Sequence, residues 1–215
     1  MGTILRFVLR ACLLIGAYYL AGQAGLFLRV AYADLTPLWP PSGIAVALLW
    51  VYGRYWWPVI PCGEYLIAWG LGQPVLVGIG GAAAQLLEAY LAYYLLRTVC
   101  VNQQLNTARD VLNFTVFGAF APPIAAAAIG VWGWHITDFT AVGSIGTWFT
   151  WWLGDAMGIL IVTPFLACLS PWPTLNRRAL GEWLAILIAL LITCVGLFLT
   201  FPRKATACSF SCSCF

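Results

Sequence analysis

Three acidic side chains stand inside apolar stretches of this sequence and are the residues best placed to do chemistry. Glu64, Glu88 and Asp155 each interrupt a run of predominantly hydrophobic residues. A charge costs free energy in hydrocarbon, so an ionisable residue within such a run indicates a functional site. The three acids fall at comparable predicted depths, which would let them line one interior cavity. No basic residue is placed to neutralise them, and Arg10 is the nearest candidate.

Small, polar and aromatic residues accompany two of these acids at helical spacing and therefore share a helix face with them. Lipid offers Gln and Glu no hydrogen-bond partner, so both faces should point into a helical bundle. Two interpretations stay open: the groups form hydrogen bonds that hold helices together, or they form a polar pocket for a ligand or protons. The faces consist of Gly81, Gln85, Glu88 and Ala92, and of Trp148, Trp151, Asp155 and Gly158; the predicted pocket residues are Glu64, Gln85, Glu88, Trp151, Trp152 and Asp155.

The composition indicates a protein whose solvent is lipid. Of its 215 residues, 63% are hydrophobic and 8% are charged, and the mean hydropathy is +0.92. A soluble domain carries about 25% charged residues, so this chain cannot cover its surface with polar groups. At roughly 20 residues per span, the apolar runs predict an all-α, polytopic transmembrane helical bundle of about seven spans, with no room for a separate catalytic domain. The predicted spans are Phe7–Leu28, Thr36–Tyr52, Trp56–Gly70, Val75–Leu96, Val111–Trp132, Ile145–Cys168 and Trp183–Phe201.

Basic residues predict the orientation of this bundle. If the N-terminus is cytoplasmic, most arginines fall on the cytoplasmic side, and the opposite loops keep only Arg29 before the seventh span. This is the positive-inside pattern, so we expect a multi-pass protein of the bacterial cytoplasmic (inner) membrane with a cytoplasmic N-terminus. The arginines on the cytoplasmic side are Arg6, Arg10, Arg54, Arg97, Arg109, Arg177 and Arg178.

Prolines predict irregular backbone in two of the spans. Pro58 and Pro61 predict a kink or a re-entrant start in the third span, because proline lacks the N–H of a helical hydrogen bond. Pro122 and Pro123 predict a kink in the fifth span for the same reason.

The C-terminal end breaks the charge pattern. A seventh span that starts inside must end outside, which puts Arg203 and Lys204 on the wrong face. Residues 1–201 are expected to form the membrane domain, and residues 202–215 a short, disordered tail rich in Cys and Ser. A truncated or frameshifted gene that has lost an eighth helix is the favoured explanation, with a natural short tail as the alternative.

Other chemistries find no support in the sequence. The tail cysteines are not spaced like zinc ligands, and we predict neither a metal nor a cofactor. We expect no enzyme, because no nucleophile–base–orienter set, phosphate-cradling glycine loop or two-histidine metal helix is present. The net charge of +3 is scattered, which argues against nucleic acid binding. His135 and Asp138 would form a pH-responsive pair or, more simply, part of a solvated loop.

Two longer motifs resemble those of a known family. One is LWPPSGIAVALLWVYGRYWWPVIPCGEYL, which begins at Leu38, and the other is WWLGDAMGILIVTPFL, which begins at Trp151. Between them lie an acidic helix, QLLEAYLAYYLLR, and the RDVL opening of the next helix. In these features the chain resembles MASE1, the first of the bacterial membrane-associated sensor domain families. The motif residues are Trp39, Pro40, Pro41, Ser42, Gly43, Arg54, Trp57, Pro58, Gly154 and Pro164.

These motif residues also have a physical interpretation. The Trp39–Gly43 segment is expected at the outer membrane interface, because tryptophan favours that interface and proline suits a helix start. Arg54, Trp57 and Pro58 are expected to build the matching cytoplasmic turn. Pro164 would loosen its helix and so provide a hinge.

The resemblance implies a sensory input module of about eight helices, which in relatives usually precedes histidine kinase, diguanylate cyclase or phosphodiesterase domains. We therefore predict signal transduction without an output domain on this chain, in the lipid bilayer, within a homodimer or a larger assembly. A small ion-coupled transporter or permease fragment is the alternative, because mid-membrane acids suit ion coupling. A structural membrane protein, with the three acids as interhelical glue, is the third interpretation.

Overall fold

The structure, a computed structural model, describes residues 2–28, 36–136 and 144–169. All regular secondary structure in these ranges is helical, in agreement with the predicted all-α class. A short 3-10 helix, Arg54–Trp56, lies between α2 and α3, and a π-helical stretch, Phe114–Phe120, joins α5 to α6. The α-helices are α1 (Gly2–Phe27), α2 (Pro40–Trp50), α3 (Val59–Gly70), α4 (Val75–Thr98), α5 (Ala108–Asn113), α6 (Ala121–Ile136) and α7 (Ser144–Cys168).

Within the described ranges, four helical segments are long and apolar enough to cross a membrane, by length and composition. They match the first, fourth, fifth and sixth predicted spans. The second and third predicted spans correspond to α2 and α3, which have only 11 and 12 residues. At about 1.5 Å per residue, each reaches roughly half the hydrocarbon thickness, so the predicted count of about seven full spans is not confirmed. The four segments are Leu5–Phe27, Val75–Thr98, Ala108–Gly133 and Ile145–Cys168.

Helix α2 begins in the interior of the bundle, against the middle of α7. The backbone N–H of Trp39 donates to the carbonyl oxygen of Gly154, near the middle of α7, at 2.9 Å. Pro40 and Pro41 occupy the first helical positions, where a missing N–H costs no intrahelical bond. The prolines therefore predicted the helix start correctly. The predicted position of this segment at the outer membrane interface stays a prediction.

The central position of α2 organises the hydrophobic core. Nine of its residues are buried, with Ile44 and Pro40 partly so. One side packs with Tyr18 and Ile60, and another with Phe114 and Ile159. The outer surfaces of the long helices expose large apolar side chains, as a lipid-facing surface requires. Examples are Leu13, Leu20, Val75, Leu76, Ile145 and Phe149.

Four of the five prolines that were predicted to affect the helices lie at or near the start of a helix. Pro58 precedes α3 and Pro61 lies in its first turn, where proline is tolerated. Pro122 and Pro123 stand at the start of α6, directly after the π-helical stretch, so the fifth predicted span is irregular where a kink was expected. Pro164 lies inside α7, and its role as a hinge stays a prediction.

Several predictions fall on parts of the chain that are not described. These are the seventh span, the tail, Arg29, Asp138 and the side chain of His135.

Candidate functional site

The hydroxyl group of Ser42, in the first turn of α2, is the centre of a buried polar cluster. It donates a hydrogen bond to Asp155 Oδ1 at 2.7 Å and accepts one from Gln85 Nε2 at 3.1 Å. Ser42 is fully buried, and Asp155 and Gln85 are exposed by only 1% and 5%. One hydroxyl group therefore connects α2, α4 and α7 in an interior where hydrogen bonds are electrostatically strengthened.

Glu88 extends this cluster along α4. Its Oε1 accepts a second hydrogen bond from Gln85 Nε2, at 3.1 Å, and the side chain is completely buried. The carboxyl groups of Glu88 and Asp155 lie close enough to each other to interact electrostatically. Yet, within the part of the chain that the structure describes, Glu88 Oε2 and Asp155 Oδ2 have no donor partner, which is unusual for buried polar atoms. The cluster has unused acceptor capacity, so it can share a proton or accept a hydrogen bond from a ligand.

Glu64 lies beside the cluster and has a different hydrogen-bond partner. Its Oε2 accepts a hydrogen bond from the hydroxyl group of Tyr18 at 3.2 Å, and the Trp39 indole lies near its carboxyl group. Trp39 immediately precedes α2, which places Glu64 on the side of that helix near α1 and α3. All three acids thus lie near the start of α2, and the prediction that they line one interior cavity stays a prediction.

Three glycines allow the backbone before α2 to approach α7 closely. A methyl group on Gly158 would overlap the carbonyl oxygen of Trp39, and one on Gly154 would meet the carbonyl oxygen of Thr36. A methyl group on Gly43 would in turn strike the carbonyl oxygen of Gly158. Small residues at such crossings let helices pack at short distance. This approach brings Ser42 within reach of Asp155.

The tryptophans of α7 face α6 and the cluster. The Trp151 indole lies near the Asp155 carboxyl group, and its ring packs against Gly130. The Trp152 indole donates to the carbonyl oxygen of Phe120 at 2.9 Å. That carbonyl group lies at the junction of the π-helical stretch and α6, where helical hydrogen bonding is irregular. Trp151 therefore belongs to the cluster, whereas Trp152 fastens α7 to α6.

The structure brings together most of the predicted pocket residues and adds members that the sequence did not single out. Gln85, Glu88, Trp151 and Asp155 converge, Glu64 is adjacent, and Trp152 points elsewhere. Ser42 was predicted only as a motif residue, although a serine inside an apolar run was a signal for a polar contact. Tyr18 and Trp39 were missed as partners of Glu64, because aromatic residues are common in membrane helices. Within the described ranges, none of the contacts made by the cluster involves a basic side chain.

The fold and this cluster define a helical membrane protein with a buried, acid-lined site. The profile of the MASE1 family matches residues 10–214, which is nearly the whole chain, and the chain belongs to this family. No curated protein and no solved structure matches it. The resemblance seen in the sequence motifs is thereby confirmed.

Replacing Ser42 with alanine should destabilise the fold. The change removes the donor to Asp155 Oδ1 and one acceptor of Gln85, and both groups would stay buried. At about 1–3 kcal/mol for each unsatisfied buried group, we expect a loss of about 2–4 kcal/mol in the free energy of unfolding. Thermal unfolding in mild detergent measures it. Thr150→Val is the matched control, because the exposed Thr150 hydroxyl group bonds only to the carbonyl oxygen of Gly146 in its own helix. Equal unfolding temperatures for the two variants would contradict the central role of Ser42.

Proposed function

We propose that this chain is the membrane-embedded sensory input part of a signal-transduction system and that the Ser42 cluster is its sensing site. The observation that carries the proposal is the pair of fully buried carboxyl groups, Glu88 and Asp155, each with one oxygen atom that has no donor among the described residues. A purely structural cluster would be expected to satisfy these atoms. Membership of the MASE1 family, whose name denotes a membrane-associated sensor, supports the same conclusion.

A stimulus at this site would act on the packing of α2 against α4 and α7. A proton or a hydrogen-bond donor that engaged the two free oxygen atoms would change the contact between the carboxyl groups. Because Ser42 connects all three helices, such a change would alter their relative positions. A ligand shifts the bundle only if it binds one arrangement better than another, and the free acceptors supply that difference.

The proposed topology follows the charge pattern. The bundle has about seven spans in the bacterial inner membrane, with the N-terminus in the cytoplasm. Arg54 and Arg97, which lie near the C-terminal ends of α2 and α4, are then cytoplasmic. The module passes its signal to a histidine kinase or diguanylate cyclase output domain, within a homodimer or a larger assembly.

Fusing the full chain in frame to a diguanylate cyclase domain tests the sensing site. Glu88→Gln and Asp155→Asn remove an acid while preserving shape, and each should change cellular cyclic di-GMP about fivefold or more, at equal membrane levels. Thr150→Val controls for any polar substitution in α7, and a catalytically inactive cyclase sets the background. If both acid variants accumulate normally and leave the output unchanged, the site is assigned wrongly.

The ion-coupled transporter remains the alternative, because the same buried acids suit proton coupling. Proton uptake into vesicles that contain the reconstituted chain separates the two functions. A sensor gives no uptake above empty vesicles, whereas a transporter gives uptake that Glu88→Gln abolishes.

A further inference from the structure

A second polar site opens at the other end of the same helices. A cleft of about 770 Å³ lies where α2 and α4 end. Its lining includes the apolar side chains of Leu49, Leu96 and Ala167, and the two arginines Arg54 and Arg97. No acidic residue is among the described residues that line it. The cleft therefore combines positive charge with apolar surface, at a distance from the acid cluster near the start of α2.

The guanidinium group of Arg97 is held in position by its neighbour one helical turn earlier. Arg97 Nη1 donates to the hydroxyl group of Tyr93 at 2.7 Å, and the guanidinium carbon lies 5.5 Å from the centre of the Tyr93 ring. Tyr93 also lines the cleft. These contacts use one of the five N–H donors and limit the motion of the side chain, so the remaining donors are available for a ligand.

The two segments that flank the cleft, the turn after α2 and the loop after α4, also have defined conformations. Arg54 directly follows Gly53, whose φ of +107° is a conformation that glycine adopts readily. On the opposite side, Gln103 Nε2 donates to the carbonyl oxygen of Trp50 at 2.6 Å and fastens the loop after α4 to the end of α2. Asp110, the acid nearest in sequence to this loop, accepts hydrogen bonds from Asn102 and from both the backbone and the side chain of Thr107. Its carboxylate thus supports the loop instead of neutralising the arginines.

We propose that this cleft binds a phosphate group, carried either by an anionic lipid or by a soluble phosphate ester. The planar guanidinium group of arginine places its N–H donors so that two of them can bind two oxygen atoms of one phosphate. Two arginines at one cleft therefore favour a phosphate that both of them bind. The apolar lining suits the organic part of the ligand. Basic pockets between membrane helices commonly bind the headgroups of anionic lipids. A soluble phosphate ester carries the same phosphate group and would bind through the same contacts.

Binding to the full chain in neutral detergent tests the proposal with two probes. Inorganic phosphate is titrated against sodium chloride at equal ionic strength, with the unfolding temperature as the signal. Retention of added phosphatidylglycerol, compared with phosphatidylcholine, is measured by native mass spectrometry. Arg54→Gln and Arg97→Gln should each weaken binding or lower retention about tenfold, since a charged hydrogen bond contributes about that factor. Arg6→Gln is the matched control, because Arg6 is exposed on α1 and does not line the cleft.

The outcomes separate the two sources. Specific retention of phosphatidylglycerol with no response to inorganic phosphate identifies a lipid, and saturable stabilisation by inorganic phosphate identifies a soluble ester. Arg97→Lys keeps the positive charge but lacks the planar guanidinium group, so it should weaken binding less than Arg97→Gln. It also provides a second variant in case Arg97→Gln does not fold. If neither probe distinguishes the cleft variants from Arg6→Gln, the proposal is wrong.

Discussion

Replacing Glu88 with lysine is expected to remove most of the protein from the membrane, whereas replacement with glutamine leaves it in place. Lysine would bring an ammonium group into a fully buried position and point it at the Gln85 amide, which now donates to Glu88. Asp155 would offer partial compensation, but the longer side chain would have to fit at a completely buried position. Disrupting a buried polar arrangement in this way costs about 3–5 kcal/mol, a large part of the stability of an ordinary domain.

Glutamine fits the same position for a specific reason. Its oxygen atom can keep the hydrogen bond from Gln85, and its amide group can donate to Asp155 Oδ2, which otherwise lacks a partner. Immunoblots of washed membranes at equal expression measure the difference, and detergent-solubilised size-exclusion profiles report on folding. Equal membrane accumulation of the lysine and glutamine variants would refute the buried position of Glu88.

Replacing Gly158 with alanine should produce the second large effect. The added methyl group would overlap the backbone carbonyl group of Trp39, and a backbone group cannot rotate away as a flexible side chain can. The start of α2 would have to separate from α7, which would stretch the hydrogen bond from the Trp39 N–H to Gly154. Overpacking typically costs about 1–3 kcal/mol, and we expect the upper end here or beyond.

Gly146 provides a matched control on the same helix. A methyl group there meets nothing within 4 Å, so Gly146→Ala changes only the helix propensity. This change should be neutral or stabilising by up to about 1 kcal/mol. Thermal unfolding of both variants in the same detergent measures the contrast. A Gly158→Ala variant as stable as Gly146→Ala would contradict the close approach of α2 to α7.

The helix faces were predicted well because one-dimensional spacing determines which residues share a face. Gln85, Glu88 and Ala92 point inward as expected, since lipid cannot satisfy their polar groups and the bundle can. The extent of α7 also agrees with prediction, because a long apolar run leaves little choice of boundary. The lengths of α2 and α3 were overestimated, since apolar residues that pack inside the bundle look the same as residues that face lipid.

By itself, the sequence determined the class of the protein and its family, and it singled out the candidate site residues. Composition excludes a soluble fold, and the placement of Glu64, Glu88 and Asp155 in apolar runs identifies them without any structure. Only the tertiary structure decided that the motif at Trp39 enters the bundle interior and that Ser42 joins the acids. The physical reason is that both results depend on a crossing between segments more than 100 residues apart, at Gly43, Gly154 and Gly158. Spacing along one helix carries no information about such a crossing.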